Sequence, residues 1–434
     1  MKLNVKQTVL IGLSFMSILC FWQFYDQVIP YILESEFQMP TFWANCIMSL
    51  DNVLALFMLP LFGSLSDRTR TRLGRRTPYV LFGTVASSAL LVVLALMERQ
   101  LNFPGFIVVL MLLLVVMSVY RAPAVAYMPD VTPKPLRSKG NAIINLVGYI
   151  GGIFATLMMM LMLKSEKLPD GSSGYVQGQS FTGIFLVIAA FMLTSVIIMV
   201  LTVKENDAVA SAGLQEEEEA EAADGAPAAM PPDVKRSLFL ILLSVFLWYA
   251  AYNAVTTAFS RYCVAIWDVD LSASSGYLMA ATVVAIISFV PLGMLTGRFG
   301  RKKMTLFGVA LMTACYALAM LIRQPSVLMY VIFALVGVGW ASINVNSFPM
   351  VVEMSRAGDV GRYTGYYYTF SMAAQIITPL LSGWLISSTS AGYRILFPYA
   401  VVFSALAFLT MSGVRHGDGT ENVKRGLEAF DVDD

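Results

Sequence analysis

One histidine and four cysteines in 434 residues leave little material for imidazole or thiolate chemistry. His416 lies in the polar C-terminal tail, so no histidine proton relay can form inside the chain. Cys20, Cys46, Cys263 and Cys315 fall in apolar runs without C-x-x-C spacing, a pattern of small buried side chains rather than of a metal or redox centre. Charge is also scarce. Asp, Glu, Lys and Arg make up 13% of the chain against 57% hydrophobic residues, with a mean hydropathy of +0.70, which excludes an ordinary soluble protein. The sequence has no phosphate-binding loop, dinucleotide fingerprint, catalytic-triad signature or metal-ligand motif. No enzyme activity, cofactor, metal or nucleic-acid partner is therefore expected. A cleavable leader is not evident, because the first apolar run is too long and lacks a small-residue cleavage site; it reads as a retained span.

What the chain does have is long apolar runs. Twelve segments qualify, at about 8–33, 42–66, 77–97, 103–128, 140–163, 181–203, 237–262, 273–297, 303–322, 326–352, 361–388 and 393–413. Each matches the roughly 20 residues needed to cross a bilayer as a helix, and alternating strand patterns are absent. With both termini inside, 22 of the 29 basic residues fall on the cytoplasmic side and five on the outer side, leaving Arg121 and Arg261 within spans. That asymmetry orients the protein in a cell membrane with both termini cytoplasmic. Residues 204–235, with Glu216 to Glu219 and an Ala- and Pro-rich stretch, read as a disordered linker. It separates a six-span unit over 1–203 from another over 236–413, with a cytoplasmic tail over 414–434.

The two units repeat one another. Gly63 to Arg76 packs Arg68, Arg75, Arg76 and two further arginines with Asp67 and Gly74 into a hinge between the second and third spans. A second hinge runs through Gly293, Gly297, Arg298, Gly300, Arg301 and Lys302. Gly63 and Gly293 are 230 residues apart, Gly74 and Gly300 are 226 apart, and Arg121 and Asp130 match Asn344 and Glu353 at an offset of 223. The second hinge carries Gly297 where the first has Asp67, with Glu353 and Arg362 as partial replacements. Asp67, Arg68, Arg75, Arg76, Asp130 and Arg137 gather at the cytoplasmic ends of spans 2 to 5, where they can form a charge latch.

Ionisable groups inside a span are costly and mark candidate sites. Asp26 in span 1 and Asp51 with Asn52 in span 2 are expected in the outer half of the membrane. Each acid is either a proton carrier or a satisfied structural group. Arg121 in span 4 must pair with an acid or face a water-filled cavity, where its planar fork suits a carboxylate or sugar hydroxyls. Asn253 in span 7 and Asn344 and Asn346 in span 10 must find partners as buried amides. Trp340, Tyr249 and Tyr252 suit the face of a pyranose, although such aromatic stripes also serve packing.

The stretches Pro60-x-x-Gly63-x-x-Ser66-Asp67-Arg68-Thr69, Gly74-Arg75-Arg76-x-Pro78-Tyr79, and Arg121 with Asp130 and Asn141 resemble the sucrose/proton symporters. These lie within the major facilitator superfamily, near the glycoside–pentoside–hexuronide:cation symporters. The resemblance implies an all-α membrane protein of twelve helices in two six-helix bundles, with a site between them. It implies proton-coupled sugar or glycoside symport, with Na⁺ as the alternative coupling ion, and a role for Arg121 in substrate binding and coupling. A monomer in the lipid bilayer is expected. A drug or metabolite/proton antiporter of the same fold is the alternative, and a non-transporting sensor or scaffold is the alternative of another class.

Overall fold

The computed structural model describes residues 3–167, 173–176, 179–211, 230–267, 271–355 and 359–418. The first half contains α1 (Val5–Tyr31), α2 (Thr41–Arg68), α3 (Thr77–Arg99), α4 (Phe103–Asp130), α5 (Arg137–Met162) and α6 (Thr182–Thr202), followed by a short α7 (Glu205–Ser211). The second contains α8 (Pro232–Trp267), α9 (Leu271–Phe299), α10 (Arg301–Ala319), α11 (Val327–Glu353), α12 (Val360–Ser388) and α13 (Leu396–Ser412). The long helices start where their sequences direct. Asn4 and Asn102 accept from the backbone N–H of Gln7 and Gly105 as N-caps, and Pro78 and Pro104 occupy first-turn positions that need no donor.

Among the described residues, eleven helices are long and apolar enough to span a membrane. The twelfth long helix, α10, opens on Arg301, Lys302 and Lys303, which dilute its apolar run, yet it packs against α11 and α13 within the second bundle. The expected twelve-helix, two-bundle architecture is present. Each bundle has an aromatic centre. Phe24 meets Phe185 at 4.9 Å in the first, and Phe259 meets Phe333 at 4.5 Å and Phe397 at 6.0 Å in the second.

Three local features depart from the sequence expectations. After Pro30, α1 widens into a π-turn over Ile32–Glu36. A two-stranded hairpin, β1 (Ser165–Lys167) and β2 (Ser173–Tyr175), joins α5 to α6, where no strand was expected. The expected disordered linker over 204–235 begins instead with α7, whose Glu205 is 1% exposed, and ends in the first turn of α8. Residues 212–229, including Glu216 to Glu219, lie outside the described residues.

The halves meet along α2–α12 and α5–α9, with further packing of α4 on α12 and α5 on α11. Both principal contacts lie toward the face that carries the N-terminus and the 69–76 hinge, here called the terminal face. Gly63 and Gly361 cross so closely that a Cβ on either would strike the other's backbone, and Gly365 packs on Pro60 in the same way. Thr369 Oγ1 donates to the Leu56 carbonyl at 3.3 Å. Among the described residues no comparable packing joins α1 to α8. The interface is thus shut toward the terminal face and parted toward the distal one.

Candidate functional site

The hinge builds a buried charge network on the terminal face. Gly74 adopts φ +110°, a conformation glycine reaches without strain, and turns the chain so that Arg75 and Arg76 point back into the bundle. Arg76 is fully buried. Its Nε meets Asp130 Oδ2 at 2.6 Å, an Nη meets Asp67 Oδ1 at 2.5 Å, and it donates also to Ser66 Oγ. Arg75 Nε adds a contact to Asp130 at 3.1 Å. Burial alone would lower the pKa of the Arg76 guanidinium, but the Asp130 and Asp67 carboxylates outweigh it and hold it above the ordinary arginine value.

Asp67 does more than neutralise this arginine. Its Oδ1 and Oδ2 accept the backbone N–H groups of Gly361 and Arg362, both at 2.8 Å. A carboxylate of the first half thereby caps the first turn of α12 in the second half, where unpaired N–H groups favour an anion. The second latch runs the other way. Glu353 accepts Arg137 at 3.4 Å across the interface and Arg301 at 3.0 Å, while Arg301 also donates to Ser138 Oγ and the Lys134 carbonyl. Glu353 is therefore the anion of this second network. Arg362 does not join it: its side chain is exposed and donates to Tyr366, and only its backbone takes part. Arg68 is exposed, and Arg298 lies over the neighbouring Phe299 ring at 5.9 Å from its centroid.

Two latch residues escaped the sequence reading. Glu205 of α7 accepts the backbone N–H groups of Arg75, Arg76 and Thr77 and the Thr77 hydroxyl at 2.8–3.1 Å. Asp418, after α13, accepts Lys302 N–H at 3.0 Å beside Gly300, whose φ is +87°. An acid following the sixth helix of each unit caps that unit's third helix. The two are 213 residues apart, off the 223–230 offsets of the other repeats, which hid the pair.

The central cavity begins beyond the latches. Its floor is Arg121, whose guanidinium carbon stands 5.2 Å from the ring centroids of both Trp22 and Tyr368. Trp340 stacks on Tyr252 at 3.8 Å and meets Tyr249 edge-on at 5.0 Å. Tyr149 of α5 stacks on Phe289 of α9 at 5.4 Å and closes the floor between the halves. Asp26 lies one turn beyond Trp22 on α1, is solvent-exposed, and lies within electrostatic reach of both Asp51 and Arg121. Asn52 Nδ2 donates to Asp51 Oδ1 at 2.8 Å. No ion pair joins Asp26 or Asp51 to Arg121 among the described residues; the arginine is held by rings instead.

The amides divide. Asn253 presents a buried Nδ2 with no hydrogen-bond partner among the described residues. Asn344 donates to its own helix at Trp340, and its backbone carbonyl accepts Asn141 Nδ2 across the interface at 2.8 Å. Asn346 is fully buried, accepts Thr296 and donates to Ser342, so it holds α11 to α9 rather than facing the cavity. Asn141 is the amide that bridges the halves, and Asn145 Nδ2 donates to its backbone carbonyl at 2.8 Å and to its Oδ1 at 3.1 Å.

This architecture agrees with the comparisons. The chain matches the family model of the Major Facilitator Superfamily over residues 11–345 and 270–428, and it belongs to that superfamily of membrane transporters. Its fold is similar to that of the E. coli fucose:proton symporter, with TM-score 0.72 and 14% identity over 95% of this chain and 99% of that one. A proton:xylose symporter bound to 6-bromo-6-deoxy-D-glucose gives TM-score 0.66 and 13% identity over 96% of each chain. A bacterial homologue of the iron transporter ferroportin, in an outward-facing state, gives TM-score 0.73 and 14% identity over 95% and 99%. A sequence search of curated proteins finds no match.

Proposed function

We propose that the protein is a secondary active transporter that imports a sugar or glycoside together with a proton by alternating access. The observation that carries this reading is the composition of the floor: one guanidinium between two aromatic rings, a Trp–Tyr stack beside it, and two carboxylates on the wall above. Planar rings fit the C–H face of a pyranose, the guanidinium fork fits vicinal hydroxyls, and a carboxylate in a half-dry cavity can exchange a proton with the open side. The likeness in fold to proteins named as fucose:proton and proton:xylose symporters supports the reading. The basic asymmetry of the loops supports a cytoplasmic terminal face in the cell membrane, so the conformation described here is the outward-open one.

Two carboxylates against one arginine in the cavity also favour a cation as co-substrate, with H⁺ the expected ion and Na⁺ the alternative. The test is counterflow in proteoliposomes with a panel of mono- and disaccharides, followed by accumulation under an imposed pH gradient or Na⁺ gradient. Exchange of one sugar, with accumulation driven by the pH gradient alone, is the expected result. Exchange of no sugar removes the substrate assignment, and accumulation under Na⁺ alone replaces the coupling ion.

A further inference from the structure

Behind the Tyr252–Trp340 stack lies a second space, a chamber of about 190 Å³ inside the second bundle. Its walls are Val255 of α8, Leu278 and Ala281 of α9, and Phe333 and Val336 of α11. Thr256 and Thr282 stand at its rim, and each hydroxyl donates to a carbonyl of its own helix, at 3.2 Å to Tyr252 and 3.1 Å to Leu278. Their methyl groups, not free donors, are left for the chamber. Thr282 is exposed and shares a face of α9 with Phe289, which stacks on Tyr149 of the other half. Tyr252, which stacks on Trp340, lines the chamber as well, so the chamber adjoins the stack.

Its far wall is Tyr316 of α10, and this residue is only 1% exposed. The Tyr316 hydroxyl has no hydrogen-bond partner among the described residues, and the phenol within its electrostatic reach is that of Tyr252 at the entrance. A buried phenol normally finds a partner, because leaving it unpaired forfeits the hydration it gave up. An all-apolar cavity of about 150 Å³ stays dry and takes up a benzene-sized molecule. This chamber is of that order, is apolar on its sides, and offers one unanswered hydrogen-bonding group at its end.

We propose that the chamber is a second subsite, for a ring-sized and mainly apolar group with one hydrogen-bonding atom at its far tip. An aryl aglycone is such a group: it would reach past Tyr252 to Tyr316 while the sugar rests between Arg121 and Trp340. The preferred substrates are then aryl or alkyl glycosides rather than free monosaccharides. This identity of the attached head rests on the sugar reading above; the chamber itself rests on its own walls and on Tyr316.

The experiment has two arms. In the first, 4-bromobenzyl alcohol is titrated against the purified full-length protein in lipid nanodiscs by calorimetry. Saturable binding is expected, weakened at least tenfold in Val336→Phe and in Thr282→Phe, which fill the chamber from different helices. Tyr316→Phe removes only the hydroxyl of the far wall and keeps its ring in place, so it decides the matter if a bulky variant fails to fold; a loss of about fivefold is expected from it. Absence of saturable binding, or equal binding by wild type and variants, overturns the proposal. In the second arm, methyl and phenyl glycosides compete in equilibrium exchange. The wild type should favour the phenyl compound about tenfold, and the filled variants should exchange the methyl compound normally and favour neither. If the probe binds as expected but no glycoside exchanges, the chamber stands and the sugar reading fails. If glycosides exchange without preference and the probe does not bind, the chamber fails and the sugar reading stands.

Discussion

The residues that decide function separate into those touching the cavity and those holding it shut. Asp26→Asn fixes the neutral form of the acid, so substrate exchange in proteoliposomes should persist while uphill accumulation under a pH gradient fails. If the variant still concentrates substrate, Asp51 becomes the carrier. Arg121→Lys keeps the charge but loses the flat guanidinium that lies between Trp22 and Tyr368, and binding should weaken about tenfold. Glu205→Ala removes the carboxylate that accepts three backbone N–H groups and the Thr77 hydroxyl, and should lower stability by about 2 kcal/mol, read as a drop in thermal midpoint in detergent. A midpoint equal to wild type would show that water replaces the carboxylate. Sequence alone singled out Asp26, Arg121 and Asp67 because a charge within or beside an apolar run stands out. It could not separate Asn253 from Asn346, since both are amides in apolar helices and only the packing shows which has its partners inside the bundle. Glu205 was hidden by the acidic residues that follow it in the chain.

At the scale of elements, the α2–α12 crossing depends on an anion supplied by one helix to the start of another. Asp67→Asn keeps one acceptor oxygen but removes the charge that serves Gly361 N–H, Arg362 N–H and Arg76 together. The terminal face should then open more readily. We expect transport slowed about tenfold, substrate binding in detergent preserved, and faster thiol labelling of a cysteine placed at Thr369, whose side chain already fits the same crossing. Normal transport with unchanged labelling would reduce the hinge to a topological anchor. The long helices were legible because apolar length, first-turn prolines and basic loops all mark the same boundaries. The π-turn at Ile32–Glu36 and the hairpin over 165–175 were not, because each spans only a few residues and follows from tertiary surroundings rather than from periodicity. Helix α7 was missed for a related reason: seven residues at the edge of a polar segment carry no apolar repeat, and its order comes from Glu205 reaching the α3 terminus.

For the whole molecule, the distribution of basic residues predicts an orientation in the membrane, and two exposed positions test it. In a cysteine-free background, Lys164→Cys at the distal end of α5 should react with an impermeant thiol reagent on intact cells, and Arg72→Cys in the hinge should not. The reverse result would invert the protein and, with it, the direction of transport. The two-bundle organisation was readable from the repeated hinges. The direction in which the interface is parted was not, because a sequence that must visit both states encodes contacts for each.

The latches have a consequence for assembly. Asp67 of the first half caps a helix of the second, and Glu353 of the second half holds Arg137 of the first, so each half supplies an anion that the other lacks. The contacts between the halves are reciprocal, so association is expected without the peptide chain that runs from one to the other. Two polypeptides ending at Ser211 and starting at Met230, made in the same cell, should find each other in the bilayer, co-purify, and recover a substantial part of transport. Charge reversal at Asp67 in one fragment should abolish the pairing, and failure of the unmutated fragments to associate would mean that covalent tethering supplies what the latches do not.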